Sequence, residues 1–291
     1  MSISNNQRKI ATMFFIICFM LFLTSCTNSS DFDSLLSIHM IDVGQSESIL
    51  IIAPNGNTIL IDAGDEVSGR KVVRYLKKRK IDDIDVMIVT HPHSDHIGGV
   101  EAVANKYVID KFFMPDITHN TETFEGLLQV LEEHNIDVSF GKKNMRMRID
   151  DNLYLFLLSP IKNHSDNLNN WSIVAKIQYN EKSFLFTGDA EHELEMDLIE
   201  KYGASFLRSH VLKIGHHGSN TSTTEQFLDI VQPNVALISV GKENPYGFPH
   251  REVINRLISR NILIYRTDEQ SNIVILSDGF EIWSYDAPWF H

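Results

Sequence analysis

One short segment constrains this chain more than any other: His91–His96, with the sequence HPHSDH, contains three imidazoles and one carboxylate. The apolar run 84–90 precedes it and two glycines follow closely, so the pattern predicts a buried strand that ends in a tight loop. Neutral imidazole and carboxylate are ligands that Zn²⁺, Mn²⁺ and iron favour. A solvated polar loop or a helix-capping histidine is the alternative, but four ligand-type side chains in six residues indicate a metal site.

The ligands of such a site must be nitrogen or oxygen atoms. The chain has two cysteines, Cys18 and Cys26, and both precede the predicted folded part. The folded part can therefore form neither a disulfide nor a thiolate metal site. Histidine, aspartate and glutamate remain as ligands.

The N-terminus has the pattern of a targeting segment. A basic pair precedes the apolar stretch 10–23, which is too short for a comfortable membrane span. Residues 1–25 resemble a bacterial lipoprotein signal peptide, with Cys26 as the lipidated residue and 26–36 as a short tether. A plain N-terminal membrane anchor is the alternative. Both interpretations place the folded part at the cell membrane, on its extracytoplasmic face.

The charge of the chain bears on its substrate. A formal charge of −12 at pH 7 disfavours a general attraction to nucleic acid, so a nucleic-acid substrate would need a local basic groove or a metal. Two segments, Thr118-His119 and Met145–Arg148, are candidates for such a groove. A solvated loop is the favoured interpretation of both.

Short apolar runs separated by turn residues continue through both halves of the chain. Strand-like runs come first in each half, and helical patterns such as 69–80, 121–134 and 191–202 are interspersed. This order favours an α+β fold of two facing sheets with helices outside them over one doubly wound sheet. No linker-like stretch divides the halves, so residues 37–291 are predicted to form one domain.

Other polar side chains also follow predicted strands: Asp62, Asp189, the pair His216-His217 and the later His250. Each has an alternative role. Asp189 could cap the acidic helix that follows it, the histidine pair could form a surface turn, and His250 could cap a helix.

The order of these motifs resembles the metallo-β-lactamase-fold hydrolases. The resemblance rests on Ile-Asp-Ala-Gly, His-x-His-x-Asp-His, Thr-Gly-Asp and a late histidine. Four motifs narrow it to the extracytoplasmic hydrolase domain of competence (ComEC-type) DNA-uptake proteins and their stand-alone relatives: Asp42–Gln45, Asn170–Ser172, Phe186–Asp189 and His216–Ser219. It extends from about Ile38 to Ile282.

The resemblance implies a four-layer αββα sandwich with a site for two divalent metal ions at one edge. Zinc is the leading candidate and manganese the alternative. His91 and His93 would hold one ion, Asp95 and His96 would hold the other, and Asp189 would bridge both.

The supporting residues follow from the same resemblance. Asp62 and Asn170 would support the metal ligands, with Asp62 orienting a histidine by hydrogen bonding. His216 or His217 would contact the substrate phosphate or a metal. Relatives commonly have Gly-His-Pro near the end, but this chain has Gly-Phe-Pro followed by His250. His250 is therefore a candidate for the late metal ligand, with His216 as the alternative.

The start of the domain also departs from the common pattern. Relatives commonly have Gly-Asp after the glutamine of the first motif, whereas Ser46-Glu47 follows Gln45 here.

The predicted activity is hydrolysis, with a small-molecule or nucleic-acid phosphodiester as the substrate. Two cations would lower the pKa of a shared water from ~15.7 towards neutrality. Asp95, His216 and His217 are the candidate catalytic residues. The same chemistry could cleave a lactam, a thioester or a phosphocholine ester, and a non-catalytic metal-binding lipoprotein is the alternative from another class. The membrane, reached through the lipidated N-terminus, and the substrate are the expected partners, and no obligate protein partner is inferred.

Overall fold

The computed structural model describes residues 35–164 and 166–290. The predicted signal peptide, the predicted lipidation site at Cys26 and most of the predicted tether lie outside the described residues. In the described ranges, none of the helices has the length and the apolar character needed to cross a bilayer.

The strands of the described residues, in chain order, are β1 (Leu36–Met40), β2 (Ile49–Ile52), β3 (Thr58–Ile61), β4 (Val86–Ile88), β5 (Phe112–Met114), β6 (Val138–Phe140), β7 (Met145–Asp150), β8 (Leu153–Leu157), β9 (Ala175–Tyr179), β10 (Lys182–Phe186), β11 (Val211–Lys213), β12 (Val235–Ile238), β13 (Leu263–Arg266), β14 (Ile273–Ser277) and β15 (Ile282–Ser284). The helices are α1 (Gly69–Lys78), α2 (Ser94–Ile97), α3 (Val100–Ala104), α4 (Glu122–Glu133), α5 (His192–Leu207), α6 (Glu225–Val231), α7 (Arg251–Ile258) and α8 (Thr267–Gln270).

Two mixed sheets face each other across the main core. The first has the order β15-β14-β1-β2-β3-β4-β5-β6 and the second the order β13-β12-β11-β10-β9-β8-β7. Helices α1, α3 and α4 cover the outer face of the first sheet, and α5, α6 and α7 cover the outer face of the second. The predicted α+β sandwich, with two facing sheets inside and helices outside, is confirmed.

The central strands are apolar on both faces because both faces are buried. In β3, Ile59 and Ile61 point into the core between the sheets, whereas Leu60 packs under the helices of the first layer. Successive side chains of a strand point to opposite faces, so a strand with two buried faces has a continuous apolar run. This is why β3 and β4 have no hydrophobic–polar alternation.

Parallel pairing brings the polar motifs to one edge of the sandwich. Strands β3 and β4 are parallel neighbours in the first sheet, and β10, β11 and β12 are parallel neighbours in the second. Parallel strands end at the same edge, so the loops that follow them meet there. These loops carry Asp62, His91–His96, Asp189 and His216-His217.

The interpretation of Met145–Arg148 as a solvated loop is wrong, because these residues lie in the edge strand β7, which pairs antiparallel with β8. Met145 and Met147 pack against the core between the sheets, while the intervening arginines are exposed. The guanidinium carbon of Arg146 lies 4.0 Å from the ring centroid of Tyr154 on the neighbouring strand. The alternation of methionine and arginine is that of a half-buried strand.

A buried histidine on β1 makes the stability of the fold sensitive to acid. His39 is 2% exposed and contacts the Tyr75 hydroxyl and the Ser37 hydroxyl, each at 2.9 Å. Burial, together with the charge of Arg79, lowers the pKa of His39 from 6.5 to about 3. The unfolded chain therefore takes up a proton that the folded chain excludes as the pH falls below about 6.5.

We expect His39→Gln to flatten this acid dependence. Between pH 6.5 and 5, His39 should remove about 1.4 kcal/mol of unfolding free energy per pH unit, and the variant should lack that component. Urea unfolding of both proteins at pH 7.5, 6.0 and 5.0, in the presence of chelator, measures the difference. Equal slopes for the two proteins would contradict the prediction.

Candidate metal centre

The HPHSDH loop is held against the loop that follows β3. A Cβ on Gly99 would lie 2.0 Å from the Ala63 carbonyl oxygen, so the close approach of the two loops requires glycine. The Ala63 amide donates a hydrogen bond of 2.9 Å to the His96 carbonyl. His91 and His96 are fully buried, whereas Asp95 is one-third exposed and faces a cavity.

Asp62 lies behind the loop and orients one of its histidines. Its carboxylate accepts hydrogen bonds from the Thr90 amide at 2.8 Å and the Thr90 hydroxyl at 2.7 Å. The His96 Nδ1 lies 2.7 Å from the same carboxylate. Because a carboxylate accepts hydrogen bonds, His96 carries its proton on Nδ1 and its Nε2 points away from Asp62.

Four imidazoles surround one oxygen of Asp189. The distances from Asp189 Oδ2 to their Nε2 atoms are 4.0 Å for His91, 3.4 Å for His96, 3.8 Å for His216 and 3.6 Å for His217. Asp189 follows β10 directly and is 2% exposed. Histidines from both sheets therefore converge on a buried carboxylate.

In each of these four rings, the other nitrogen contacts an oxygen atom. The pairs are His91 Nδ1 with Thr90 Oγ1 at 3.1 Å, His96 Nδ1 with Asp62 Oδ2 at 2.7 Å, His216 Nδ1 with Glu191 Oε1 at 2.9 Å and His217 Nδ1 with the Ser239 carbonyl at 2.8 Å. A histidine that binds a metal through one nitrogen commonly donates the other N–H to a carboxylate or a carbonyl. The arrangement points the four Nε2 atoms towards Asp189, where they could bind a cation.

His216 and His217 reach the site through an uncommon backbone conformation. Both residues are left-handed, with φ of 47° and 52°, and they lie between Gly215 and Gly218. Two successive non-glycine residues in this region cost free energy, which fits a functional constraint on the orientation of their side chains. The turn directs both imidazoles towards Asp189.

One group of four residues brings its ligand atoms within 4.8 Å of one another: Asp95, His96, Asp189 and His217. Asp95 Oδ2 lies 3.3 Å from His217 Nε2 and 3.6 Å from His96 Nε2. Ligand atoms bound to one tetrahedral Zn²⁺ at ~2.1 Å are roughly 3.4 Å apart. His96 Nε2 and Asp189 Oδ1 are buried and make no hydrogen bond with the described residues. These four side chains therefore fit a divalent cation.

His91 and His93 form an adjacent pair. His91 Nε2 lies 3.0 Å from His93 Nδ1 and 4.0 Å from Asp189 Oδ2. The two histidines and Asp189 are a donor set of two nitrogens and one oxygen, which is suited to a second cation.

The charges of the group support cation binding. Burial alone would lower the pKa of His96 and His217, but the surrounding carboxylates, Asp189 foremost, raise both pKa values above the ordinary value. Burial would raise the pKa of Asp189, but His217 and His96 lower it well below its usual range. The carboxylate is therefore ionised, and a cation would displace protons from the two histidines.

Asn170 and His250, which the sequence predicts to belong to the site, are not in the group of four ligand residues. Asn170 hydrogen-bonds the start of α5, donating to Glu193 at 2.8 Å and accepting from the Glu191 amide at 2.9 Å. The Nδ1 of His250 accepts a hydrogen bond of 2.9 Å from the Asn220 amide. It is His217, and not His250, that lies within the group of four.

Sequence reasoning missed Glu191 as a supporting residue. Its carboxylate accepts hydrogen bonds from His216, Thr221 and Asn167. Burial would raise the pKa of Glu191, but these hydrogen bonds lower it to about 2, and the hydrogen bond from His216 has the largest effect among them. The only local signal was an acidic residue directly before a helix, a position with a common structural explanation.

A buried ion pair lies behind Asp189, and sequence reasoning did not predict it. Glu47 and Lys213 contact each other, and both are fully buried. The Lys213 ammonium also donates to the Gly188 carbonyl at 2.8 Å and lies 3.7 Å from Asp189 Oδ1. The pair links the loop after β1 to the end of β11, so it joins the two sheets directly beneath the centre.

The centre opens into a cavity of about 560 Å³. Its lining residues are Gln45, His93, Ser94, Asp95, His119, Thr121, Thr123, Asp189, His216, His217, Tyr246 and Phe248. The segment Thr118-His119, interpreted from sequence as a solvated loop, therefore contributes His119 to the wall. Its ring lies 5.8 Å from that of His93.

The sequence model of the metallo-beta-lactamase superfamily matches residues 41–242. ComE operon protein 3 of Bacillus subtilis (strain 168) is 31% identical over 274 residues, which cover 88% of this chain and 34% of that protein. Exodeoxyribonuclease WalJ of Streptococcus pneumoniae is 38% identical over 84 residues, covering 25% of this chain and 30% of that protein. Three curated relatives match most of this chain, but the chain spans only about a third of the length of each of them.

Solved structures share the same architecture. A metallo hydrolase from the archaeon Ignicoccus hospitalis KIN4/I superposes with a TM-score of 0.52 at 17% identity, covering 82% of this chain and 98% of that one. At this identity the similarity concerns the fold.

Proposed function

The chain belongs to the metallo-β-lactamase superfamily, and from this premise we propose that it is a phosphodiesterase or nuclease that uses two divalent metal ions. Membership confirms the resemblance predicted from the order of the motifs, and it supports the proposal of a metal-dependent hydrolase. The substrate class, the residue roles and the location of the protein are our proposals.

The proposal rests on one observation. Four imidazole Nε2 atoms lie within 4.0 Å of Asp189 Oδ2. A carboxylate in this position can bind two cations at once. We assign Asp95, His96 and His217 to one ion, with Asp189 shared between the two sites. His91 and His93 would hold the other ion.

Two such ions, when bound, lower the pKa of water and neutralise negative charge on phosphate oxygens. The protein positions the ligands and forms the wall of the cavity in which a phosphate would bind. His216 is 23% exposed at this wall, and its Nδ1–H donates to Glu191. A neutral His216 therefore has its lone pair on Nε2, and the protonated ring can donate from Nε2 to a phosphate oxygen.

A phosphodiester substrate is supported by the name of one relative, an exodeoxyribonuclease. Zn²⁺ suits a site rich in imidazole, and Mn²⁺ is the alternative because two of the proposed ligands, Asp95 and Asp189, are carboxylates. The proposal of an extracytoplasmic, lipid-anchored enzyme rests on the N-terminal sequence, in which Cys26 follows an apolar stretch. A role in DNA uptake is not part of this proposal.

A substrate panel with metal analysis tests the proposed function. The chain lacking residues 1–26 should bind close to two Zn²⁺ or Mn²⁺ ions and hydrolyse bis-p-nitrophenyl phosphate or an oligonucleotide, and chelation should abolish the activity. A chromogenic cephalosporin should not be hydrolysed at a comparable rate. Turnover of the cephalosporin without any phosphodiester hydrolysis would contradict the proposal.

A further inference from the structure

Two aromatic side chains stand at the mouth of the cavity. The rings of Tyr246 and Phe248 are stacked, with centroids 5.4 Å apart and an angle of 20° between their planes. Tyr246 is 63% exposed, and both residues line the cavity that contains the metal centre. A large exposed aromatic surface beside a polar site is characteristic of a binding surface.

The side chain of Asn244 makes four hydrogen bonds within the loop that carries the two rings. Asn244 donates hydrogen bonds to the carbonyls of Gly241 at 3.0 Å and Phe248 at 2.7 Å. Its side-chain oxygen accepts from the amides of Tyr246 at 3.2 Å and Phe248 at 3.0 Å. The backbone of the loop is therefore fixed before a ligand arrives, which reduces the entropy lost on binding.

The aromatic pair is adjacent to the proposed phosphate position. The Phe248 ring makes an edge contact with the His216 ring, with centroids 5.5 Å apart. His216 Nε2 in turn lies 3.8 Å from Asp189 Oδ2. A flat group attached close to the phosphate could therefore stack on the aromatic pair while the phosphate occupies the centre.

The cavity wall limits how a nucleotide could bind. None of the described residues that line it is lysine or arginine, so imidazoles and bound metal ions are its cationic groups. A phosphate would therefore bind at the metal centre and at His216, and the rest of the substrate would bind through uncharged contacts. Aromatic side chains supply such contacts, because nucleobases of any kind stack on them.

We propose that Tyr246 and Phe248 form a stacking site for the nucleobase next to the scissile phosphate, so that the substrate is a single-stranded nucleic acid or a nucleotide. This inference rests on the proposed function. Paired bases inside a duplex are stacked on both faces and cannot present a face to the aromatic pair, whereas unpaired bases can. The phenylalanine that departs from the Gly-His-Pro pattern is thus part of the substrate site.

Product ligands test the inference without catalysis. The Mn²⁺-loaded full chain is titrated calorimetrically with thymidine 5′-monophosphate, thymidine 3′-monophosphate and 2-deoxyribose 5-phosphate, which lacks the base. Stacking contributes about 1–3 kcal/mol per base, so at least one thymidine monophosphate should bind about tenfold more tightly than the sugar phosphate, since 1.4 kcal/mol is tenfold.

The variants Tyr246→Ser and Phe248→Leu should each reduce this preference about threefold or more. Phe280→Leu is the matched control, because Phe280 is 56% exposed and does not line the cavity. Equal affinities of the wild type for thymidine and sugar phosphates, or variants that keep the full preference, would overturn the inference. Hydrolysis of bis-p-nitrophenyl phosphate by the wild type is measured in parallel. The absence of a base preference can then be distinguished from the absence of phosphodiesterase activity.

Discussion

Replacement of Asp95 by alanine should abolish hydrolysis and remove at least one bound metal ion per chain. Asp95 Oδ2 lies 3.3 Å from His217 Nε2 and 3.6 Å from His96 Nε2. Its loss therefore leaves three of the four residues whose ligand atoms lie within 4.8 Å of one another. A catalytic cation contributes several kcal/mol of transition-state stabilisation, so we expect kcat/KM for a phosphodiester to fall about 10³-fold or more.

The experiment compares metal content after dialysis with turnover of bis-p-nitrophenyl phosphate. Asp82→Ala is a matched control, because Asp82 is an exposed carboxylate before β4, at the end of that strand opposite the HPHSDH loop. The control should retain the wild-type metal content and rate. Unchanged turnover in Asp95→Ala would exclude the assignment of Asp95 to the centre.

The sequence was sufficient to predict the architecture, because the central strands and the outer helices have clear patterns. The apolar runs of β3 and β4 are followed directly by Asp62 and by the HPHSDH loop, so strand ends and polar loops could be predicted together. β7 was missed for a physical reason. It is an edge strand, and its outward arginines suggested a loop although its methionines pack against the core.

The sequence alone does not determine which of the late histidines lies among the proposed metal ligands. His216, His217 and His250 are chemically equivalent, and the choice depends on distances between segments far apart in the chain. His217 reaches Asp95 across 122 residues, and it does so because two successive left-handed residues turn the backbone. Flanking glycines indicated a tight turn, but they could not indicate the direction in which its imidazoles point.

The departure in the first motif places Glu47 in contact with a buried lysine, Lys213. Glu47 follows Ser46 where relatives commonly have Gly-Asp, and its carboxylate meets the lysine that precedes the second histidine motif. Both side chains are fully buried, so each charge depends on the other for stabilisation. The Glu47 amide also donates to the Asp95 carbonyl at 3.1 Å, which connects the pair to the metal loop.

Lys213→Met should lower the unfolding free energy at pH 7.5 by about 3–5 kcal/mol, because it leaves a buried carboxylate without its counter-charge. Lys176→Met is the matched control. Lys176 is also buried, but among the described residues its ammonium donates to two backbone carbonyls, those of Phe206 and Arg208, so its loss leaves no buried carboxylate unpaired. The control should cost about 1–3 kcal/mol. Urea unfolding in chelator measures both variants.

The pH dependence of the same variant separates an uncompensated charge from lost packing. Burial raises the pKa of Glu47, and the removal of Lys213 raises it further. A carboxyl whose folded pKa lies above its unfolded value stabilises the fold at low pH and loses that stabilisation as the pH rises. The deficit of Lys213→Met should therefore shrink between pH 7.5 and 5, and Glu47→Gln in the same chain should restore much of the stability at pH 7.5. A deficit that is independent of pH and is not relieved by the second substitution would mean that packing, rather than the buried charge, determines the cost.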